Sequence, residues 1–115
     1  MVGTFNIMIL QGSDKTISLV IKDSDGVVVN LTGYTAAMQV RRNVKSTDVY
    51  DSLTTENGRI VITPLEGKVD LVFPNATTSV YDFTRAVYDL ELYIGDVVTR
   101  ILEGTFVVSL EVTRQ

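Results

Sequence analysis

The sequence predicts an all-β fold built as two packed sheets, and three observations predict it. Val, Ile, Thr, Tyr and Phe are concentrated in short windows where apolar and polar residues alternate, the period of a half-buried strand. Gly, Asn and Asp punctuate those windows at fairly regular spacing, so the connections read as turns. Eight or more such strands, each with one apolar face, need a second sheet to cover that face, and a sandwich is the common solution at 115 residues. Periodicity alone leaves a closed barrel open as the alternative.

The expected strands follow in order. Phe5 to Leu10 reads as the first, broken by Gln11-Gly12-Ser13-Asp14. In Thr16 to Lys22, Ile17, Leu19 and Ile21 share a face, and Asp23-Ser24-Asp25-Gly26 then turns the chain with Gly26 free to take positive φ. A short strand is expected at Val27 to Asn30, followed by a turn at Leu31 to Tyr34 and a strand from Thr35 to Arg42 with Ala36, Met38 and Val40 inward. Asn43 to Asp48 is polar and reads as a loop. Val49 to Thr54 is a weaker strand, and the Asn57-Gly58 pair after it predicts a tight hairpin. A second hairpin is expected around Pro64 to Gly67, between Ile60 to Thr63 and Lys68 to Phe73. Pro74 ends the latter, since proline cannot donate to a central ladder. One short helical turn is expected near 76–82, with Asn75 as N-cap. Arg85 to Ile94 reads as a long strand with Tyr88, Leu90 and Leu92 on one face. Gly95-Asp96 reverses it, and a bend or bulge is expected at Glu103-Gly104. In Thr105 to Val112, Phe106, Val108, Leu110 and Val112 alternate as inward positions. With no linker, low-complexity stretch or exact repeat, residues 1–115 read as a single domain.

Composition narrows the function classes. No cysteine is present, so no disulfide framework or thiol nucleophile exists. The net charge of −4 is scattered, and Arg41-Arg42 with Lys45 nearby is the densest basic stretch, so no nucleic-acid partner is expected. No apolar run approaches membrane-spanning length, and Met1 to Asn6 lacks the features of a signal peptide, so no membrane partner is expected either. The sequons at Asn30 and Asn75 then read as turn chemistry. Histidine is absent, removing the usual general base near neutral pH, and no nucleophile elbow or phosphate-binding glycine loop occurs. Asp89 and Glu91 share a strand face and form the one carboxylate pair worth weighing for glycoside cleavage; the default for such positions is a solvated outer face. Asp23 and Asp25 have oxygen-ligand spacing but lack the remaining ligands of a calcium loop. Catalytic, cofactor and metal residues are therefore all expected to be absent.

Two structural features stand out. Tyr88 lies two residues before the core position Leu90, just after a corner, which is similar to the tyrosine corner of immunoglobulin-like domains; Leu90 occupies the place of the antibody disulfide cysteine. The expected fold is thus an immunoglobulin-like antiparallel β-sandwich of about eight strands. The first strand is apolar on both faces, with Phe5, Ile7 and Ile9 on one and Met8 and Leu10 on the other, more than one sandwich can bury at an edge. Phe5, Ile7, Met8, Leu10 and the tip aromatic Tyr93 are the candidate interface, with outer positions such as Val20, Val72 and Val107 beside them.

Across nearly its whole length the chain resembles phage virion proteins with an immunoglobulin-like fold, similar to the N-terminal domain of the baseplate upper proteins of tailed phages. The residues that carry the resemblance are Gln11-Gly12-Ser13-Asp14, Asp25-Gly26, Val29 to Ala36, Gln39-Val40-Arg41, Leu53 to Gly58, Val87 to Leu92, Thr99 to Gly104 and Val112-Thr113-Arg114. Pro74 to Thr78 replaces a more apolar stretch, and no downstream fibre or shaft is expected after Gln115. The resemblance implies a structural part of the virion, in the tail, baseplate or fibre-attachment region, assembled in the host cytoplasm. Other virion proteins and copies of itself, in a ring or trimer, are the implied partners. A capsid decoration protein is a variant of the same reading. A carbohydrate-binding module that adheres to a host-surface glycan is the alternative from another class, and it requires two or three exposed aromatics lining one groove.

Overall fold

The computed structural model describes residues 2–113, and Arg114 of the closing motif lies outside them. The described chain is a two-sheet β-sandwich. Its elements are β1 Gly3–Thr4, β2 Ile7–Leu10, β3 Lys15–Val20, β4 Thr35–Arg41, β5 Val49–Thr54, β6 Ile60–Thr63, β7 Lys68–Phe73, α1 Asn75–Thr78, β8 Arg85–Ile94 and β9 Val97–Ser109, with a 3₁₀ turn at Pro64–Glu66. One sheet runs β1-β9-β8-β4-β5 with β2 also on β9; the other runs β3-β7-β6. In immunoglobulin lettering the smaller sheet is B-E-D and the larger holds G-F-C-C′.

The alternating positions meet between the sheets as expected. Met38 and Val40 of β4, Leu90 and Leu92 of β8, Phe106 and Val108 of β9, and Ile7 and Ile9 of β2 face Ile17, Ile60, Val69, Leu71 and Phe73 of the smaller sheet, all buried. Five aromatic rings close one end: Tyr50 stacks on Phe83 at 4.2 Å, and Phe106 lies 5.8–6.0 Å from Phe73, Tyr81 and Phe83.

Several expectations are corrected. The sandwich is not wholly antiparallel, because β1 and β2 pair parallel to β9. Gly12 (φ 86°) turns the chain across the core into the other sheet, leaving β2 to meet the last strand running the same way. The Asn57-Gly58 turn is not a hairpin: β5 pairs with β4, β6 pairs with β7, and the turn carries the chain between sheets. Leu53 and Ile60, one on each side of the turn, are both buried, so each needs its own sheet. Residues 27–30 form only an isolated bridge, Lys22 to Val28, because the Asp23 carboxylate accepts the N–H groups of Asp25 and Val27 and curls the chain.

The bulge falls not at Glu103-Gly104 but at Ile101, where Leu90 pairs with Leu102 and Glu91 with Arg100. Strand β9 ends at Ser109, so Leu110 and Val112 are exposed rather than inward. The helical turn occupies Asn75–Thr78, with Pro74 as its N-cap residue. Asn75 is the first helical residue, and its N–H donates to Asp14 Oδ1 at 2.6 Å. The turn stops early because Tyr81 drops into the core.

The Gln11 to Asp14 motif knots these parts together. Gln11 Nε2 donates to the Tyr81 carbonyl and Gln11 Oε1 accepts the Glu111 N–H, both at 2.8 Å. Fully buried Thr78 accepts the Gly12 N–H and donates to the Ser13 carbonyl. This leaves the helix and the end of β9 fixed against the start of β3.

Candidate functional site

Strand β2 forms an open edge of the larger sheet. Its inward residues Ile7 and Ile9 are in the core, which removes Ile7 from the candidate interface. Its outward residues are free: Met8 is 58% exposed and Leu10 55%, with Phe5 44% exposed just before them. Full burial of Met8 and Leu10 within the chain is the finding that would have ended their candidacy. On the same outer face Val107, the partner of Met8 in register, is half-buried.

The edge is also open in its backbone. Phe5 N–H donates to Glu103 O and Gln11 N–H to Ser109 O, both at 2.9 Å, so the odd-numbered residues bond to β9. Strand groups alternate in direction, so the N–H and C=O of Met8 and the N–H of Leu10 point away from β9 into the open side. No charged residue occurs from Val2 to Ser13. The other edges are guarded: β3 opens on Lys15, β5 carries Asp51, and β6 lies between Arg59 and Pro64. Charged residues and proline are what commonly protect a sheet edge from added strands.

Tyr88 is buried, but its hydroxyl makes no local corner. It donates to the Phe5 carbonyl at 2.5 Å, 83 residues away, and so clasps the break between β1 and β2 onto β8. Gly104 permits that clasp, because a β-carbon there would lie 2.2 Å from the Phe5 carbonyl oxygen. Asn6 fills the gap in the ladder, its Oδ1 accepting the Thr105 N–H at 3.1 Å.

Sequence reasoning missed a cluster of Asp51, Arg59 and Tyr81 at the aromatic end. Arg59 grips Asp51 through two bonds of 3.1 and 2.9 Å, donates from Nε to the Val72 carbonyl at 2.7 Å, and lies 5.7 Å from the centre of the Phe73 ring. Tyr81 donates its hydroxyl to Asp51 Oδ2. Asp51 alternates with Leu53 on an inward face, the position where a carboxylate demands partners, and that placement was the available signal. Burial lowers the Arg59 pKa, but the hydrogen bonds and charge of Asp51 outweigh it and the net shift is upward.

Burial raises the Tyr88 hydroxyl to about 12. Burial, and then the hydrogen bond and charge of Asp51, raise Tyr81 further. Both tyrosines are then neutral in the fold at pH values where the unfolded chain, with pKa near 10, has lost those protons. Their contribution is complete below about pH 10 and declines as pH rises through the folded values. For Tyr88 the loss is on the order of 2 kcal/mol by pH 12. Urea melts from pH 9 to 12 should show stability falling above about pH 10. Tyr88→Phe should make that fall shallower, leaving the share due to Tyr81, and an equally steep fall in the variant would refute the assignment.

The remaining candidates separate. Asp89 and Glu91 do share the outer face of β8, in a shallow groove of about 450 Å³ with Gln39, Arg41, Arg100 and Glu103. Each is already engaged: Asp89 pairs with Arg100 at 3.5 Å, and Glu91 accepts the Tyr93 hydroxyl at 2.8 Å. Burial, then the charge of Glu91, raises the Asp89 pKa. The two carboxylates point the same way from one strand instead of facing across a cleft. Tyr93 lies half-buried on this face, away from β2, so it does not join the exposed Met8 and Leu10. The tyrosines do not converge on one groove, since Tyr50 stacks on Phe83, and Tyr81 and Tyr88 are buried. Asp23 spends its Oδ1 on its own turn, and among the described residues no cluster suited to a metal ion occurs. Asn30 likewise accepts from Thr32 N and Oγ1, as turn chemistry requires. No helix among the described residues is long and apolar enough to cross a membrane.

No protein-family model matches the chain, and no curated protein matches it.

Proposed function

We propose that this chain is a non-enzymatic structural protein of a tailed-phage particle, in the tail, baseplate or fibre-attachment region, acting through contacts with other virion proteins and with copies of itself. The resemblance of its turn and core motifs to baseplate proteins motivates the reading. The observation that carries it is the β2 edge: an uncharged strand with free backbone groups and exposed Met8 and Leu10, bounded by guarded edges elsewhere. Such an edge adds strands or partners by main-chain bonding, with outward side chains setting specificity. The Tyr88 clasp and Gly104 hold this strand rigidly in place, as a part that assembles by docking requires.

The test is to purify intact particles from cells carrying the encoding phage or prophage and probe them by mass spectrometry and immunogold imaging. The chain should band with the particles and label the tail region. Recovery solely from the soluble lysate overturns the reading, and labelling over the whole shell replaces it with a capsid decoration role.

A further inference from the structure

We propose that β2 is a self-pairing edge: two copies of the chain join by antiparallel pairing of Asn6 to Leu10 about a two-fold axis at Met8, merging their larger sheets into one. This deepens the preceding reading and rests on its premise that the chain works by protein contact, but not on the identity of the particle.

Three observations select a second copy as the occupant. The first is backbone direction. Met8 presents both its N–H and its C=O to the open side, as derived from the bonds of Phe5 and Gln11 to β9. Two antiparallel copies with Met8 opposite Met8 exchange both bonds of a hydrogen-bonded pair. The second is face matching. A two-fold axis perpendicular to the sheet keeps inner faces together, so Ile7 and Ile9 of both copies stay on the core side, already covered by their own chain. Met8 meets Met8 outside, beside Leu10 and Val107, and the exposed apolar surface is covered. The third is charge. Each copy carries −4, so two copies approach with least repulsion where charge is absent, and Val2 to Ser13 is an uncharged run ending in this edge. An isologous pairing closes on itself. It therefore gives a dimer in place of the ring or trimer that the resemblance implies.

Two measurements on the isolated chain test this. Sedimentation equilibrium should give twice the chain mass for the wild type. Met8→Lys, which puts a charge on the edge, and Met8→Pro, which removes an N–H facing away from β9 and places its ring on the open side, should both give the single-chain mass with unchanged circular dichroism. Met8→Cys should then form an inter-chain disulfide under mild oxidation, because facing residues of a hydrogen-bonded pair have Cα atoms about 5.5 Å apart, within disulfide reach. Ser18→Cys on the β3 edge should not. The protein has no other cysteine, so the cross-link is unambiguous. A single-chain mass for the wild type, a trimer or larger ring, a dimer that survives Met8→Lys, or cross-linking equal at both cysteines each overturns the proposal. If Met8→Pro fails to fold, Met8→Lys and the cross-link still decide. None of these results bears on whether particles contain the chain, so this pairing and the virion reading fail separately.

Discussion

Asp51→Ala is expected to remove about 3 kcal/mol of stability, a large share of what a domain of this size possesses. The aspartate is the shared acceptor of Arg59 and Tyr81, and the side chains of Arg59 and Asp51 are only 16% and 12% exposed. Removing it leaves a largely buried guanidinium without its counter-charge, and that uncompensated charge is the main cost. A double variant, Asp51→Ala with Arg59→Met, should recover much of the loss, because an apolar replacement of both partners leaves nothing unpaired. Urea denaturation of the two single variants and the double forms a complete cycle. A loss below about 1 kcal/mol for Asp51→Ala would show the pair to be worth no more than a surface ion pair.

Gly104→Val is the second large effect. A β-carbon would lie 2.2 Å from the Phe5 carbonyl oxygen and 2.9 Å from its carbon. The obstacle is backbone, so it cannot swing aside as a flexible side chain would; β9 or the Thr4 to Asn6 segment must shift. Forced overpacking costs about 1–3 kcal/mol, and each lost hydrogen bond adds about 1. The Phe5 to Glu103 bond, the Tyr88 clasp and the Asn6 to Thr105 bond are all at risk. The midpoint of thermal unfolding should fall by roughly 10 °C or more. Amide exchange should quicken at residues 3–8 while β4 and β7 stay protected, the mark of a detached first strand. Melting within a degree or two of wild type would refute the close approach.

Much of the fold was legible because alternation records burial directly. β3, β4, β7 and β8 lie where their patterns place them, and the alternating Val69, Leu71 and Phe73 of β7 are fully buried. What sequence could not supply was partnership. Asn57-Gly58 signals a tight turn, but the same dipeptide serves a hairpin and a crossing between sheets, and only the pairing of β5 with β4 decides. The parallel pairing of β2 and β9 joins residues 99 apart in sequence, Ile7 with Phe106, beyond the reach of any local pattern. Tyr88 was recognised as a structural tyrosine, yet its acceptor is equally remote. At the candidate site, the two-faced apolarity of residues 5–10 gave the location of the edge. The burial of Ile7 in the core, and the odd-even direction of the backbone groups that gives Met8 its role, became visible only with the ladder.

The parallel pairing of β2 with β9 also dictates an order of events. On the ribosome the residues of β2 emerge well before those of β9, and until Phe106 to Ser109 follow, β2 has no strand to join. β3, β6 and β7 can pair much earlier, since Lys15 to Phe73 contains all of that sheet. Ile7, Met8, Ile9 and Leu10 thus wait as an unprotected, uncharged segment through most of synthesis, at the stage when like segments on neighbouring nascent chains most readily pair with one another. Folding yield should accordingly depend on how crowded translation is: sparse polysomes favour the completed sandwich, and dense ones favour tangles nucleated at this strand.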